Sequence, residues 1–190
     1  MSLDYSPSEI LKNAWSLVCT RLFFPGARLI RRPVYLRGKR GFSFGPGFTT
    51  GYRCRIEVFN PREGVKLQVG KNCKLGDNVH LAASQKVTLG DDCLLASHIF
   101  ISDTNHGTVD SDPRISPDAR ELTTAPVEIG NRVWLGEGVC VLPGARIADG
   151  CIIGAHSVVT GEIPANCVAV GAPARVVRRY NFQTMKMERV

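Results

Sequence analysis

Residues 129–164 read IGNRVW LGEGVC VLPGAR IADGCI IGAHSV VTGEIP. An aliphatic residue opens every hexad: Ile129, Leu135, Val141, Ile147, Ile153 and Val159. Gly, Ala or another small residue usually follows, and the fifth place holds small or β-branched residues, with Val133, Val139, Ala145, Cys151, Ser157 and Ile163 in turn. A period of six keeps no single face of an α-helix inward, and the Gly content also argues against a helix. The period fits a short strand followed by a corner. Three such units make a triangular coil of about 18 residues, and coils stack at a strand spacing of about 4.8 Å. Each coil is an open edge until the next one covers it, so several are needed for stability. The expected fold class is all-β, a parallel β-helix.

The pattern extends towards the N-terminus. VGKNCK, LGDNVH and LAASQK run from Val69, and LGDDCL, LASHIF and ISDTNH from Leu89, while Val87 and Thr88 between them imply a small corner bulge. A weaker version, FGPGFT TGYRCR IEVFNP, starts at Phe44. About five coils are expected over residues 44–164. One long insertion, about 107–126 (GTVDSDPRISPDARELTTAP), carries four acidic residues, three prolines and no hexads. A long excursion without pattern from a compact domain usually serves function.

The predicted organisation is an N-terminal helical and basic extension over 1–41, the β-helix over 42–179 and a fraying tail over 180–190. Ser6-Pro7-Ser8-Glu9 is a helix start, with a Ser cap, Pro at the first helical position and Glu three residues after the cap. Ile10, Leu11, Ala14, Trp15, Leu17 and Val18 recur at helical spacing, and Pro25-Gly26 should end the helix. It either docks on the prism or a neighbouring subunit, or touches a membrane. Seven basic residues and no acidic one lie between Arg21 and Arg40, and Arg175, Arg178, Arg179, Lys186 and Arg189 crowd the C-terminus. Such patches attract anions, and the first prompts an expectation of peripheral contact with an anionic membrane through residues 1–40.

The chain has 190 residues, net charge +7, 44% hydrophobic and 22% charged residues, values ordinary for one globular domain. Its seven Cys are scattered without a CxxC, and Cys54, Cys73, Cys93 and Cys151 share one place in the repeat. They read as packing residues in a reducing, cytoplasmic setting. No nucleic-acid-binding motif is present, and no apolar stretch approaches a membrane span.

These hexads resemble those of the hexapeptide-repeat acyltransferases, and the likeness covers about residues 42–179. It is strongest to the galactoside, maltose and surface-polysaccharide O-acetyltransferases, from LGDDCLLASHIFISDTNHG through the insertion to PVEIGNRVWLGEGVCVLPGARIADGCIIGAHSVVTGEIPANCVAVGAPARVVRR. The resemblance implies a left-handed β-helix, a homotrimer and acetyl-CoA as co-substrate. SDTNHG at the start of the insertion is more like the polysaccharide-modifying members, so the implied acceptor is a sugar hydroxyl in a surface polysaccharide.

His106 ends a hexad where the chain leaves the prism, and it falls on the family's catalytic histidine. A neutral imidazole near pH 7 can take the proton of a sugar hydroxyl as it attacks a thioester. Asp103 and Asn105 flank it as candidate orienting groups. The resemblance places Trp134, Ala155, Thr160, Arg175 and Arg178 at coenzyme contacts or a wall of the site. Small residues admit a pantetheine arm, and Arg grips phosphates with forked hydrogen bonds. Two departures stand out: Gly161 replaces the family's usual Lys, and Glu137 stands where a small residue is common. No metal is expected, because the spacing of His80, His98, His106 and His156 does not form a three-ligand set. Two other functions fit the repeat: N-acetylation of a sugar-nucleotide amine, and a non-catalytic scaffold.

Overall fold

A computed structural model describes residues 5–190. Its body is a left-handed parallel β-helix with three parallel sheets as the faces of a triangular prism. The first face stacks Leu29–Ile30, Thr49–Thr50, Lys74–Leu75, Leu94–Leu95, Trp134–Leu135, Ile152–Ile153 and Cys167–Val170. The second runs from Tyr35–Arg37 to Val158–Val159, and the third from Phe42–Phe44 to Glu162–Ile163. The strands are short because each needs only one inward aliphatic residue before the chain turns. Leu75, Leu95, Leu135 and Ile153 form such a column from the first face, each at most 4% exposed.

Six complete coils run from Leu29 to Ile163, one more than the hexads suggested. The expected boundary at residue 42 therefore falls inside the first coil, since Leu29 pairs with Thr49 and Tyr35 with Arg55. That coil ends the prism and has a neighbour on one side only, so its sequence, LIRRPVYLRGKRGFSF, need not repeat strictly. Phe42, Phe44 and Phe48 fill the column there, with the Phe44 and Phe48 rings stacked at 5.3 Å. Residues 1–4 of the expected extension lie outside the described residues.

The corners explain the third and fourth places of the hexads. At the corner from the third face to the first, Asp91 Oδ1 accepts the Lys71 N–H at 2.9 Å. Asn131 Oδ1 then accepts the Asp91 N–H, and Asp149 Oδ1 the Asn131 N–H, at 2.8 and 2.9 Å. Each short polar side chain thus satisfies the backbone of the coil before it. The fourth place is left-handed at Asn72, Asp92, His98, Arg132 and His156, with φ near +57°. The cysteines at the fifth place are buried and unpaired, and Cys73, Cys93 and Cys151 donate to the carbonyls of Gly90, Gly130 and Pro164 in the next coil. Burial pushes the Cys54 thiol up to about 11, so it stays protonated and inert.

The helix α1 spans Pro7–Phe23 and starts with the expected capping box between Ser6 and Glu9. The C-terminal end differs from expectation. Arg175–Asn181 folds back antiparallel on Cys167–Val170, and Lys186–Arg189 pairs with Arg178–Asn181. The tail is held because Asn181 Oδ1 accepts the Gln183 N–H at 2.8 Å to form a tight turn, and Tyr180 packs on Phe182.

Candidate active site

Between the second and third faces of the fourth coil the chain leaves the prism. Phe100–Ser102 is the last regular strand, Asp103 turns inward, and Thr104–His106 pairs antiparallel with Leu122–Thr124. The insertion is therefore a two-stranded arm carrying a loop over residues 107–121. His106 lies opposite Leu122 at the end of this ladder, with its side chain exposed. Gly107 follows with φ +87°, and a Cβ there would collide with Ser111 Oγ, so the sharp turn behind the imidazole needs glycine. Thr123 Oγ1 donates to the Gly107 carbonyl at 2.9 Å and ties the returning strand to the same spot.

The hydrogen bonds of Asp103 go to the corner of the preceding coil and to Thr104 rather than to the His106 ring. The Asp103 side chain is fully buried, Oδ1 accepts the Ser84 N–H at 2.8 Å, and Oδ2 accepts the N–H groups of Gln85 and Lys86 at 2.7 Å each. Thr104 Oγ1 is also within 2.8 Å of Oδ1 and 2.7 Å of Ser84 Oγ. The carboxylate is thus consumed in fixing the corner of the coil before it and the root of the arm. The corner bulge expected at Val87-Thr88 is in fact Ser84–Lys86, and Val87–Leu89 is regular strand. Asn105 stands beside His106 on the arm, exposed, opposite Thr123. Ser84 and Thr104 were missed in the sequence. They are 20 residues apart, the same offset as Lys74 to Leu94, and that shared offset marks them as neighbours across one coil.

The other histidines have different surroundings. His98 and His156 hold left-handed corners between the first and second faces. His80, on the outer surface of the second face, lies 3.0 Å from Glu57 Oε2 and 5.3 Å from the Phe100 ring. Glu57 is further held by Arg55 at 2.7 Å and Arg37 at 3.5 Å. Burial alone would raise the Glu57 carboxyl, but hydrogen bonds and charge from Arg55 and His80 outweigh it and hold it below the usual range. Of the four imidazoles, His106 alone stands on the inserted arm.

The candidate coenzyme residues divide between two sides of the prism. Trp134 pairs with Ile152, Ile152 with Val168 and Val168 with Arg178, so Trp134 and Arg178 share one row across the first face. Trp134 is 49% exposed, and Arg175 is exposed on the same strand as Arg178. Ala155 is exposed at the corner between the first and second faces. Thr160 is exposed at the corner between the second and third faces, the corner from which the arm springs two coils earlier. His106 and Thr160 therefore share an edge, while Trp134, Arg175 and Arg178 lie on the face opposite that edge, with the packed column between.

Residues 126–161 match the family model for bacterial transferase hexapeptide repeats. WbbJ of Escherichia coli K12, whose name assigns it provisionally to O-acetyl transfer in lipopolysaccharide biosynthesis, is 43% identical over 97% of this chain and 95% of its own. The chain belongs to the hexapeptide-repeat O-acetyltransferases. A galactoside acetyltransferase solved with coenzyme A is 27% identical with a TM-score of 0.52, covering 95% of this chain and 76% of that one. AntD, an N-acyltransferase from Bacillus cereus, superposes with a TM-score of 0.69 over 95% of this chain and 92% of its own. At 17% identity that likeness shows the fold alone.

Of the two departures from the family pattern, one has a local explanation in this acetyltransferase. Glu137 Oε2 accepts the Ser97 N–H at 3.0 Å and so serves as a corner cap for the preceding coil. Gly161 has open space around the position of a Cβ, so no steric demand requires glycine there.

Proposed function

We propose that this acetyltransferase moves acetyl from acetyl-CoA to a hydroxyl of a sugar in a bacterial surface polysaccharide or its lipid-linked precursor. The observation that carries the reading is the placement of His106 on the antiparallel arm, exposed and backed by Gly107, along the same prism edge as Thr160. The polysaccharide acceptor is supported by the likeness to WbbJ over nearly the whole of both chains.

The acceptor hydroxyl is a weak nucleophile. Neutral His106 takes its proton while the oxygen attacks the thioester carbonyl carbon, giving a tetrahedral oxyanion that a backbone N–H can steady. Collapse forms the ester C–O bond and breaks the C–S bond, and the departing thiolate takes the proton from the imidazolium. Asp103 acts as a positioning residue, because it fixes the root of the strand that carries the base. Asn105 is placed to meet the acceptor beside it.

Thr160 and the Trp134–Arg178 row lie on opposite sides of the packed column of one prism. We therefore place the coenzyme between protomers of a homotrimer, with Thr160 and His106 from one chain and Trp134, Ala155, Arg175 and Arg178 completing the groove from its neighbour. Arg175 and Arg178 would meet the phosphates. The test is product chemistry. Incubation with acetyl-CoA and the glycan should give acetyl that hydroxylamine releases, as an ester does; acetyl resistant to hydroxylamine would be an amide and would overturn the O-transfer reading.

A further inference from the structure

The helix α1 is turned inside out. The side it lays on the first coil is small and polar: Thr20 Oγ1 accepts the Ile30 N–H at 2.9 Å, and Ser16 Oγ accepts the Arg32 N–H at 3.2 Å. Asn13 Oδ1 accepts from Arg31 Nε at 3.0 Å and from the Tyr52 hydroxyl at 3.3 Å. These bonds cover the free edge of the first face, which would otherwise present unpaired backbone. The apolar side points outward. Leu11, Trp15, Val18 and Leu22 form one stripe, exposed by 72%, 64%, 50% and 69%. Ordinary surface helices show the opposite arrangement.

Beside the stripe, a groove of about 830 Å³ runs between the helix and the first face. Ile10, Leu17 and Leu29 give it an apolar lining, and Arg28, Arg31 and Lys74 supply cations. The surrounding sequence is strongly one-signed: residues 5–56 hold ten Lys and Arg and a single acid, Glu9. An apolar stripe set among positive charges matches the acyl–headgroup boundary of an anionic bilayer. Two copies of the chain meeting face to face through this same surface would bring like charges together, which opposes association. No helix of the described residues is long and apolar enough to cross a membrane, so α1 would lie in the plane of the surface.

We propose that α1 and the basic first coil form a docking surface for an anionic lipid bilayer, with Leu11, Trp15, Val18 and Leu22 entering the interface and Arg21, Arg28 and Arg32 meeting phosphates. The test is co-sedimentation of the full chain with vesicles of phosphatidylglycerol mixed with phosphatidylcholine, and with vesicles of phosphatidylcholine alone. Binding should favour the anionic vesicles and fall in high salt. The double variant Leu11→Glu with Trp15→Glu should weaken it about tenfold or more while keeping the wild-type melting temperature. Equal binding to both vesicles, or a double variant that binds as well as wild type, would overturn the proposal. So would sedimentation velocity showing that the double variant forms a smaller assembly, because the stripe would then belong to a second copy of the chain.

Discussion

The carboxylate of Asp103 accepts the backbone N–H of Gln85 at 2.7 Å from one coil further along the prism. The neighbouring amides of Ser84 and Lys86 point at the same side chain, so one buried charge closes a corner of three consecutive N–H groups. The relationship matters because the next residues, Thr104–His106, are the strand that carries the proposed base.

Replacing Asp103 with Ala should therefore destabilise the fold by about 1–3 kcal/mol, since three part-buried backbone N–H groups lose their shared acceptor. Asp103→Asn should cost less, yet it turns an amide N–H₂ towards a donor. Its loop over 107–121 should be cut by protease faster than in the wild type, with kcat reduced more than KM changes. Urea midpoints, limited proteolysis and steady-state kinetics check this, and a variant with intact stability and activity would show that the corner tolerates its loss.

Gly161 and Gly90 offer a matched pair. A Cβ on Gly161 meets open space, whereas one on Gly90 would come within 2.7 Å of the Gly130 carbonyl carbon. Gly90→Ala should cost about 1–3 kcal/mol by overpacking, and Gly161→Ala about 0.5 kcal/mol or less. Gly161→Lys restores the cation usual in the family next to Thr160. Calorimetry should show coenzyme A binding about three- to tenfold tighter, the return on one charge-assisted contact. Unchanged or weaker binding would place the coenzyme elsewhere.

How much of this could be read in the sequence depends on how many neighbours each coil has. The hexads of 129–164 are strict because the inward residues from Ile129 to Ile153 are each packed by a coil on either side, so the fold class follows from their period alone. The first coil escaped notice because it is an end. Asp103 looked like an ordinary loop residue, since nothing local reveals that its side chain turns into the prism towards amides nearly twenty positions earlier. The C-terminal hairpin was hidden for a similar reason: its pairing of Arg178 with Arg189 and of Tyr180 with Met187 follows no hexad. His106 could be picked out from its place at the mouth of the insertion, and the split of the coenzyme residues between two sides of the prism needed the strand register.

Acid should loosen the second face through Glu57. Its carboxyl sits below the ordinary value in the folded chain, despite burial, because Arg55 and His80 favour the charged form. Folding thus favours the carboxylate, and the contribution is complete above the ordinary glutamate range. It is lost as pH falls through the depressed folded value. Thermal melts across the acid range should show a steeper fall for the wild type than for Glu57→Gln. Parallel curves would remove Glu57 from the account of acid stability.

The most direct test of the catalytic assignment is thiol release from acetyl-CoA with the glycan acceptor, measured for the wild type and for His106→Ala. The side chain is exposed, so its removal should leave the fold and coenzyme binding intact. Turnover should drop about 10²–10⁴-fold, the range expected for loss of a general base. Turnover of the variant at the wild-type rate would contradict the assignment.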